Sequence, residues 1–476
     1  MALTGSPTLH PRVVLATCCL SLLLVMMDVT VVNVVLPSIR AQMHGSFSTL
    51  QWVVDAYTLM VASLMLLVGT LADRFGRRRM FLIGIALFCA GSALCGLARS
   101  VEMLVFARAV QGIGGSMLNP VALSILTSVY VEPRARAQAI GTWGATSGVA
   151  LALGPVVGGV LVHWVGWQAV FWVNVPIGLL AIGLTLRFVP ESRGGRGRSI
   201  DAPGQLLAIV ALAMITSGLI EAHNYGWASP AISGFLGFGL LSVAGFVIVE
   251  RRAATPLIDL RFFGAWPFSG AIIIAVLAFA MFSAFLFLNT LYLQDVRGLD
   301  ALHAGLCTLP FAAGSMLCAP LSGRLTGRYG ARLPLLLSAI GFGAGALLLT
   351  GLDPATPLGL LLASYGLCGC GFGLCNAPIT NAAISGMPRA QAGVAAAIAS
   401  TSRQVGALLG IALGGAMSAS SVQGGVVQWG AFPQATHAVW WSMAVGAGCI
   451  AALGLVSTGL RARRSAQAVA ALLDSA

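Results

Sequence analysis

The stretch GTLADRFGRRR, Gly69–Arg79, decides how this chain is read. Five of its eleven residues are charged (Asp73, Arg74, Arg77, Arg78 and Arg79), in a chain of 476 residues of which 8% are charged. Long apolar runs flank it on both sides. A run of about 20 apolar residues has the length needed to cross a bilayer as helix. Lipid offers the backbone no hydrogen-bond partners, which selects helix. The stretch therefore reads as a tight charged turn between two membrane-spanning helices. With 58% hydrophobic residues and a mean hydropathy of +0.92, the chain carries too little charge to cover a soluble domain of its length. The short alternating segments of a membrane β-barrel are not seen.

Working outward, spans are expected at 13–36, 50–71, 79–98, 103–126, 139–162, 166–188, 203–221, 231–249, 269–293, 302–323, 332–350, 357–378, 394–417 and 437–460. The first run is long and lacks a convincing cleavage site, so it is expected to remain as a span. An even number of spans puts both termini on one side. All 26 basic residues are arginine. Of these, 21 fall in one set of loops and tails, and only Arg40, Arg99 and Arg297 in the other; Arg108 and Arg403 lie within spans. The asymmetry predicts cytoplasmic termini in a multi-pass cell-membrane protein. It also explains the net charge of +12 without a nucleic-acid partner. The ten cysteines all fall within spans, as small packing residues rather than metal ligands.

The charged turn returns. GRLTGRYGAR at Gly323–Arg332 aligns Gly69, Leu71, Arg74, Phe75, Gly76 and Arg78 with Gly323, Leu325, Arg328, Tyr329, Gly330 and Arg332, an offset of 254. GPVVGG at 154–159 and GIALGG at 410–415 echo each other at an offset of 256. Similar offsets indicate a duplicated unit. Each step contains eight spans, which fits a six-helix half followed by an inserted pair. The expected division is 1–188, a six-helix half; 189–260, the inserted pair with its linkers; and 261–476, a second half with a short tail. Two parallel halves around a central cavity are a transporter architecture.

These residues resemble the major facilitator superfamily, in its fourteen-helix drug:proton antiporter group. Gly69–Arg79 is similar to its loop signature, and LLVMMDVTVVNVVLPSI at 23–39 to its first-helix motif. RAVQGIGGSMLNP at 108–120 is similar to its fourth-helix motif, and LGPVVGGVL at 153–161 to the fifth-helix motif associated with antiporters. GWQAVFWVNVPIG at 166–178 and STSRQVGALLG at 400–410 also resemble the group. Gln168 stands where members often carry Arg, and Ala150 where the fifth-helix pattern starts with Gly. No expected span from 269 onward contains Asp or Glu.

Three intramembrane charges are candidates for proton coupling. Asp28 lies in the first span, about nine residues before Pro37, roughly 13 Å from its outer end. An Asp at mid-helix costs about 2.5–3.5 kcal/mol on insertion scales. Holding a proton relieves that cost; a bond to Asn33 or Thr30 is the structural alternative. Asp55 either relays protons or is hydrated from the outer mouth. Glu221, nearer the outer end of the seventh span, is expected to snorkel to water. Arg108, near Gln111, needs a partner or a wet cavity, and Asp28 or Asp55 is the natural partner.

Gly154, Pro155, Gly158 and Gly159 offer a small surface for close helix packing. The resemblance implies that they hinge or seal the halves. It also implies that the gating loop of Gly69, Asp73, Arg74, Gly76, Arg77 and Arg78 latches one conformation, with Asp73 near the amino end of the thirteenth span around Gly393. The expected cavity wall comprises Met26, Trp52, Tyr57, Gln111, Trp143, Phe279, Phe282, Phe285, Asn289, Tyr292, Phe311, Asn376 and Arg403, Met and aromatic surfaces being adaptable to varied apolar ligands.

The function expected is proton-coupled antiport exporting amphiphilic small molecules such as drugs and antibiotics, by a monomer without a cofactor. An uptake symporter or dedicated metabolite exporter on the same fold is the alternative; a non-transporting receptor would need a signalling domain that the short polar segments do not supply. No GxxxxGK[ST] loop encodes a nucleotide motor, and neither HExxH nor a GxSxG in its strand–turn–helix context indicates an enzyme.

Overall fold

The computed structural model describes residues 10–194, 201–253, 256–385, 387–388, 391–423 and 426–474. Among the described residues, fourteen helices are long and apolar enough to span a membrane: α1 (Pro11–Met43), α2 (Phe47–Phe75), α3 (Arg77–Gly96), α4 (Val101–Val129), α5 (Arg134–Trp164), α6 (Ala169–Phe188), α7 (Ala202–Tyr225), α8 (Pro230–Arg252), α9 (Trp266–Val296), α10 (Ala301–Tyr329), α11 (Arg332–Leu349), α12 (Leu358–Ile384), α13 (Ala392–Met417) and α14 (Phe432–Val456). A shorter α15 (Leu460–Asp474) follows. Among the described residues, the strands are confined to a two-residue hairpin, Val422–Gln423 against Val426–Val427.

Local chemistry sets the helix ends. Ser46 forms a capping box at the start of α2, and Ser100, Asp201, Ser229 and Asp300 accept backbone N–H groups at the starts of α4, α7, α8 and α10. Proline explains two interruptions. Pro176 cannot donate to the Trp172 carbonyl, and α6 breaks between Ala169–Trp172 and Asn174–Phe188; Pro310 likewise accompanies a break in α10 at Thr308.

Two expectations are corrected here. The first span does not stop at Pro37 but continues to Met43, which puts Asp28 roughly 22 Å from that end of the helix rather than 13 Å. The ninth helix runs past 293 in a π turn, Tyr292–Val296, which brings Asp295 into a spanning helix of the second half.

Two six-helix halves repeat one packing scheme. In the first, α3 and α2 pack on α4 and α1 packs on α5; in the second, α11 and α10 pack on α12 and α9 packs on α13. The glycine echo becomes a contact echo. A Cβ at Gly154 would lie 1.8 Å from Thr30 Oγ1 of α1, and one at Gly410 would lie 2.2 Å from the Ala280 carbonyl oxygen of α9. Five residues on, each helix meets the opposite half: a Cβ at Gly159 would lie 2.5 Å from Leu302 Cα of α10, and one at Gly415 2.2 Å from Gln51 Nε2 of α2. The inserted pair α7–α8 packs on itself, and α7 rests against both α2 and α13.

The halves meet at the arginine-poor end. Gln51 Nε2 donates to the carbonyls of Ile411 (3.0 Å) and Ala412 (3.3 Å), and Gln294 Nε2 to that of Val34 (2.8 Å). Arg40 pairs with Asp295 and lies 4.4 Å from the Trp429 ring. At the arginine-rich end, a Cβ built on Gly69, Gly141, Gly323 or Gly393 would touch nothing within 4 Å, and among the described residues no polar contact joins the halves there. The bundle is closed at one end and parted at the other.

Candidate functional site

Near the middle of α1, five helices converge on one carboxylate. Arg108 Nη1 of α4 donates to Asp28 Oδ2 over 2.6 Å, while Gln111 Nε2 (2.8 Å) and Asn174 Nδ2 of α6 (3.3 Å) donate to Oδ1. Gln111 and Asn174 also both donate to Ser92 Oγ of α3 at 3.0 Å. Arg108 Nη1 donates to Gln111 Oε1 (2.7 Å), and its Nε to the Val53 carbonyl of α2 (3.0 Å). The Arg108 guanidinium lies 4.5 Å from the Tyr57 ring centroid. Asp28 and Arg108 are 2% and 0% exposed. A buried ion pair is tolerated only where further hydrogen bonds satisfy its remaining lone pairs and protons; here both Asp28 oxygens and Arg108 Nε and Nη1 are bonded, while Arg108 Nη2 has no partner among the described residues.

Of the two candidate partners for Arg108, the structure selects Asp28. Asn33 and Thr30 are not bonded to it; both donate to carbonyls of their own helix. The sequence reading left out Ser92 and Asn174. The signal was a polar side chain within an apolar span, and Asn174 lies inside the quoted stretch at 166–178.

Asp55 departs from the hydrated alternative. It is 0% exposed, and neither carboxylate oxygen has a hydrogen-bond partner among the described residues. Glu221 does not extend freely to water: Trp52 Nε1 donates to its Oε1 at 2.8 Å and Asn224 Nδ2 to its Oε2 at 2.7 Å.

A small cavity lies between the halves, lined by Asn33, Tyr57 and Thr58 on one side and by Ser283, Leu286 and Gln404 on the other. Tyr57 links it to Arg108. Several expected wall residues are elsewhere. Trp52 turns to α7, Asn289 binds the Tyr365 hydroxyl (2.7 Å), and Tyr292 is fully buried with its hydroxyl on the Asp353 carbonyl (2.6 Å). These three are held in the packing rather than facing the cavity. Phe279, Phe282, Phe285 and Phe311 form an aromatic cluster with Phe372; the closest pair, Phe282 and Phe372, stacks at 4.3 Å. Arg403 donates to Thr380 Oγ1 and the Asn376 carbonyl, 5.9 Å from the Phe279 ring centroid. Met26 and Trp143 are partly buried against the first half's core.

On helix α5, Gly154 and Gly158 face α1, whereas Gly159 faces α10, where the Pro155 carbonyl meets Gly305. In the charged turn, Asp73 accepts from Arg77 Nη2 (2.9 Å) and Nε (3.2 Å) of its own loop. Among the described residues it makes no bond to α13, and a Cβ at Gly393 would have nothing within 4 Å. Gly76 has φ +110°, and a Cβ there would also strike the Glu191 carboxylate at 2.7 Å. Glu191, which the sequence reading did not single out, accepts from the Arg78 backbone N–H at 3.1 Å and lies 3.8 Å from Arg79 Nε. Arg78 donates to the Leu186 carbonyl, Arg74 is exposed, and Gly69 has open space beside it.

Among the described residues, no group of three His, Cys, Asp or Glu could hold a metal. A family model for the Major Facilitator Superfamily matches residues 18–411. The multidrug resistance protein Stp of Mycobacterium tuberculosis is 38% identical over 401 residues, 84% of this chain and 74% of that protein. The tetracenomycin C resistance and export protein of Streptomyces glaucescens is 34% identical over 414 residues, 87% and 77% of the two chains. A crystal structure of the nucleoside transporter NupG superposes with a TM-score of 0.64 at 13% identity, covering 94% of this chain and all of that one.

Proposed function

The chain belongs to the Major Facilitator Superfamily, and from that premise we propose that it is a proton-driven antiporter exporting amphiphilic small molecules, drugs and antibiotics among them. It is a multi-pass membrane protein; the reading sets its arginine-rich end and both termini in the cytoplasm. The observation that carries the coupling is the Asp28–Arg108 pair, buried yet one side chain, Tyr57, away from the cavity between the halves.

Substrate enters from the parted, arginine-rich end. Rocking of the halves then opens the arginine-poor end, and a proton arriving from outside neutralises Asp28. A neutral acid no longer holds Arg108 by charge, so protonation loosens α1 from α4 and favours the return. One charge moving down 100 mV supplies about 2.3 kcal/mol. Residues 1–188 and 261–476 act as the two rocking bodies and 189–260 as the inserted pair with its linkers. The protein works as a monomer, and the proton gradient takes the place of a cofactor.

The test is flux in proteoliposomes of the full chain, with ethidium as a fluorescent probe and an imposed proton gradient. Wild type moves ethidium against its gradient, and a protonophore abolishes this. Asp28→Asn retains at most downhill exchange. Uphill movement by Asp28→Asn at the wild-type rate overturns the coupling site, and ethidium moving in the same direction as protons makes the protein a symporter.

A further inference from the structure

The inserted helix α7 lies antiparallel to α2 and is fastened to it at three levels. Asn224 Nδ2 donates to Ser48 Oγ (2.9 Å), Trp52 Nε1 to Glu221 Oε1 (2.8 Å), and Gln205 Nε2 to the Ser63 carbonyl. Against α13, by contrast, α7 presents Leu219 and Ile220 to Leu409 and Ala412. The pair is therefore bonded to the first half and only packed against the second.

Along this seam polar atoms have no protein partners among the described residues: Asp55 Oδ1 and Oδ2 and Thr216 Oγ1 between the fastenings, and Ser63 Oγ and Gln205 Oε1 at the inner one. The register of the three bonded pairs brings Asp55 level with Thr216. Thr216 lies eleven residues, close to three helical turns, from Gln205, and so shares the face that Gln205 turns to α2. All four residues are at least nine-tenths buried. Buried oxygens are rarely left unbonded, because each costs about 1–3 kcal/mol. A row of them flanking a carboxylate is expensive unless protons or water pass along it.

We propose that the α2–α7 seam is a proton path and that Glu221 is its outer carboxylate, delivering protons to Asp55. Glu221 stands about one turn from the arginine-poor end of α7, partly exposed and held by two donors. Asp55 is one turn deeper on α2 than Trp52. Glu221 takes a proton from outside water and becomes the neutral acid. It passes that proton inward to the Asp55 carboxylate and returns to the anion, to which Trp52 and Asn224 again donate. Of the other charges on helices packed against α2, Arg108 bonds Asp28, Arg40 pairs with Asp295, Arg403 bonds Thr380, Arg77 bonds Asp73, Arg78 bonds the Leu186 carbonyl and Arg79 lies by Glu191, while Arg12 and Glu102 are exposed.

The inference rests on the proton-coupled reading, and its test needs no transported substrate. The full chain in lipid nanodiscs is given a pH jump, with the proton as the probe. The carboxylic C=O stretch of Asp55 is identified in the infrared difference spectrum by its loss in Asp55→Asn. In Glu221→Gln, whose amide oxygen still accepts from Trp52, loading of Asp55 slows at least about tenfold. Trp52→Phe, which removes that bond but keeps the carboxylate, and Glu221→Asp both stay near the wild-type rate. Equal rates in Glu221→Gln and wild type overturn the proposal and leave Glu221 as a fastening alone. A wild-type spectrum without an Asp55 band also overturns it, while the Asp28→Asn flux decides the antiport reading separately.

Discussion

Arg108 reaches Asp28 across 2.6 Å with neither side chain open to solvent. Removing one member of such a pair strands a buried charge, which costs about 3–5 kcal/mol. Asp28→Asn should therefore lower thermal stability markedly, and Asp28→Asn combined with Arg108→Gln should regain most of the loss. Uphill transport should be absent from both. A single variant that unfolds at the wild-type temperature would show that the ion pair is not what holds these helices.

The fold was legible because bilayer thickness fixes helix length, and because the duplication left two glycine patterns at nearly equal offsets. Gly154 and Gly410 sit at matching contacts for that reason. The pairing of Asp28 with Arg108 was legible only as one of two possibilities. Partner choice depends on helix rotation, which hydropathy does not specify. Asp295 was missed because the π turn at Tyr292–Val296 carries helix beyond the apolar run. Glu191 was missed because its contact with Arg78 spans 113 residues and has no local spacing rule.

Arg40 and Asp295 join α1 to α9 at the closed end, with Trp429 over the guanidinium. The pair is partly exposed, so it contributes about 1 kcal/mol, roughly a fivefold bias toward the closed arrangement. Arg40→Asp or Asp295→Arg alone should shift spin-label distances across this end toward separation, and the double exchange should restore them. Unchanged distances in both single variants would reduce the pair to a surface contact.

Gly154 and Gly159 lie five residues apart yet should fail differently. Gly154→Ala presses on Thr30 within one half and should cost about 1–3 kcal/mol in thermal stability. Gly159→Ala presses on Leu302 of the other half. It should leave each half folded while spin-label distances at the arginine-poor end lengthen. If both variants lose stability equally and neither changes those distances, α5 is a packing helix and not a seal between moving halves.

Asp73 raises a question of state. Here, among the described residues, its carboxylate bonds only to Arg77 of its own turn, while its backbone carbonyl accepts from the Gly194 N–H at 3.2 Å; with 42% of the side chain exposed the ion pair contributes at most about 1 kcal/mol. Asp73→Asn should therefore leave thermal stability unchanged. We propose that, when the arginine-rich end closes, the same carboxylate approaches the amino end of α13 near Gly393, where the helix dipole favours an anion by about 0.3–1 kcal/mol. Losing that preference should shift the population toward the open form about two- to fivefold and slow transport in proportion, with Asp73→Glu partly restoring it. Gly76→Ala acts on the same turn by another route, since φ +110° and the Glu191 carboxylate both oppose a Cβ. It should lower stability where Asp73→Asn does not. A fall in transport by Asp73→Asn without any change in spin-label distance at the arginine-rich end would mean that the aspartate acts on something other than the latch.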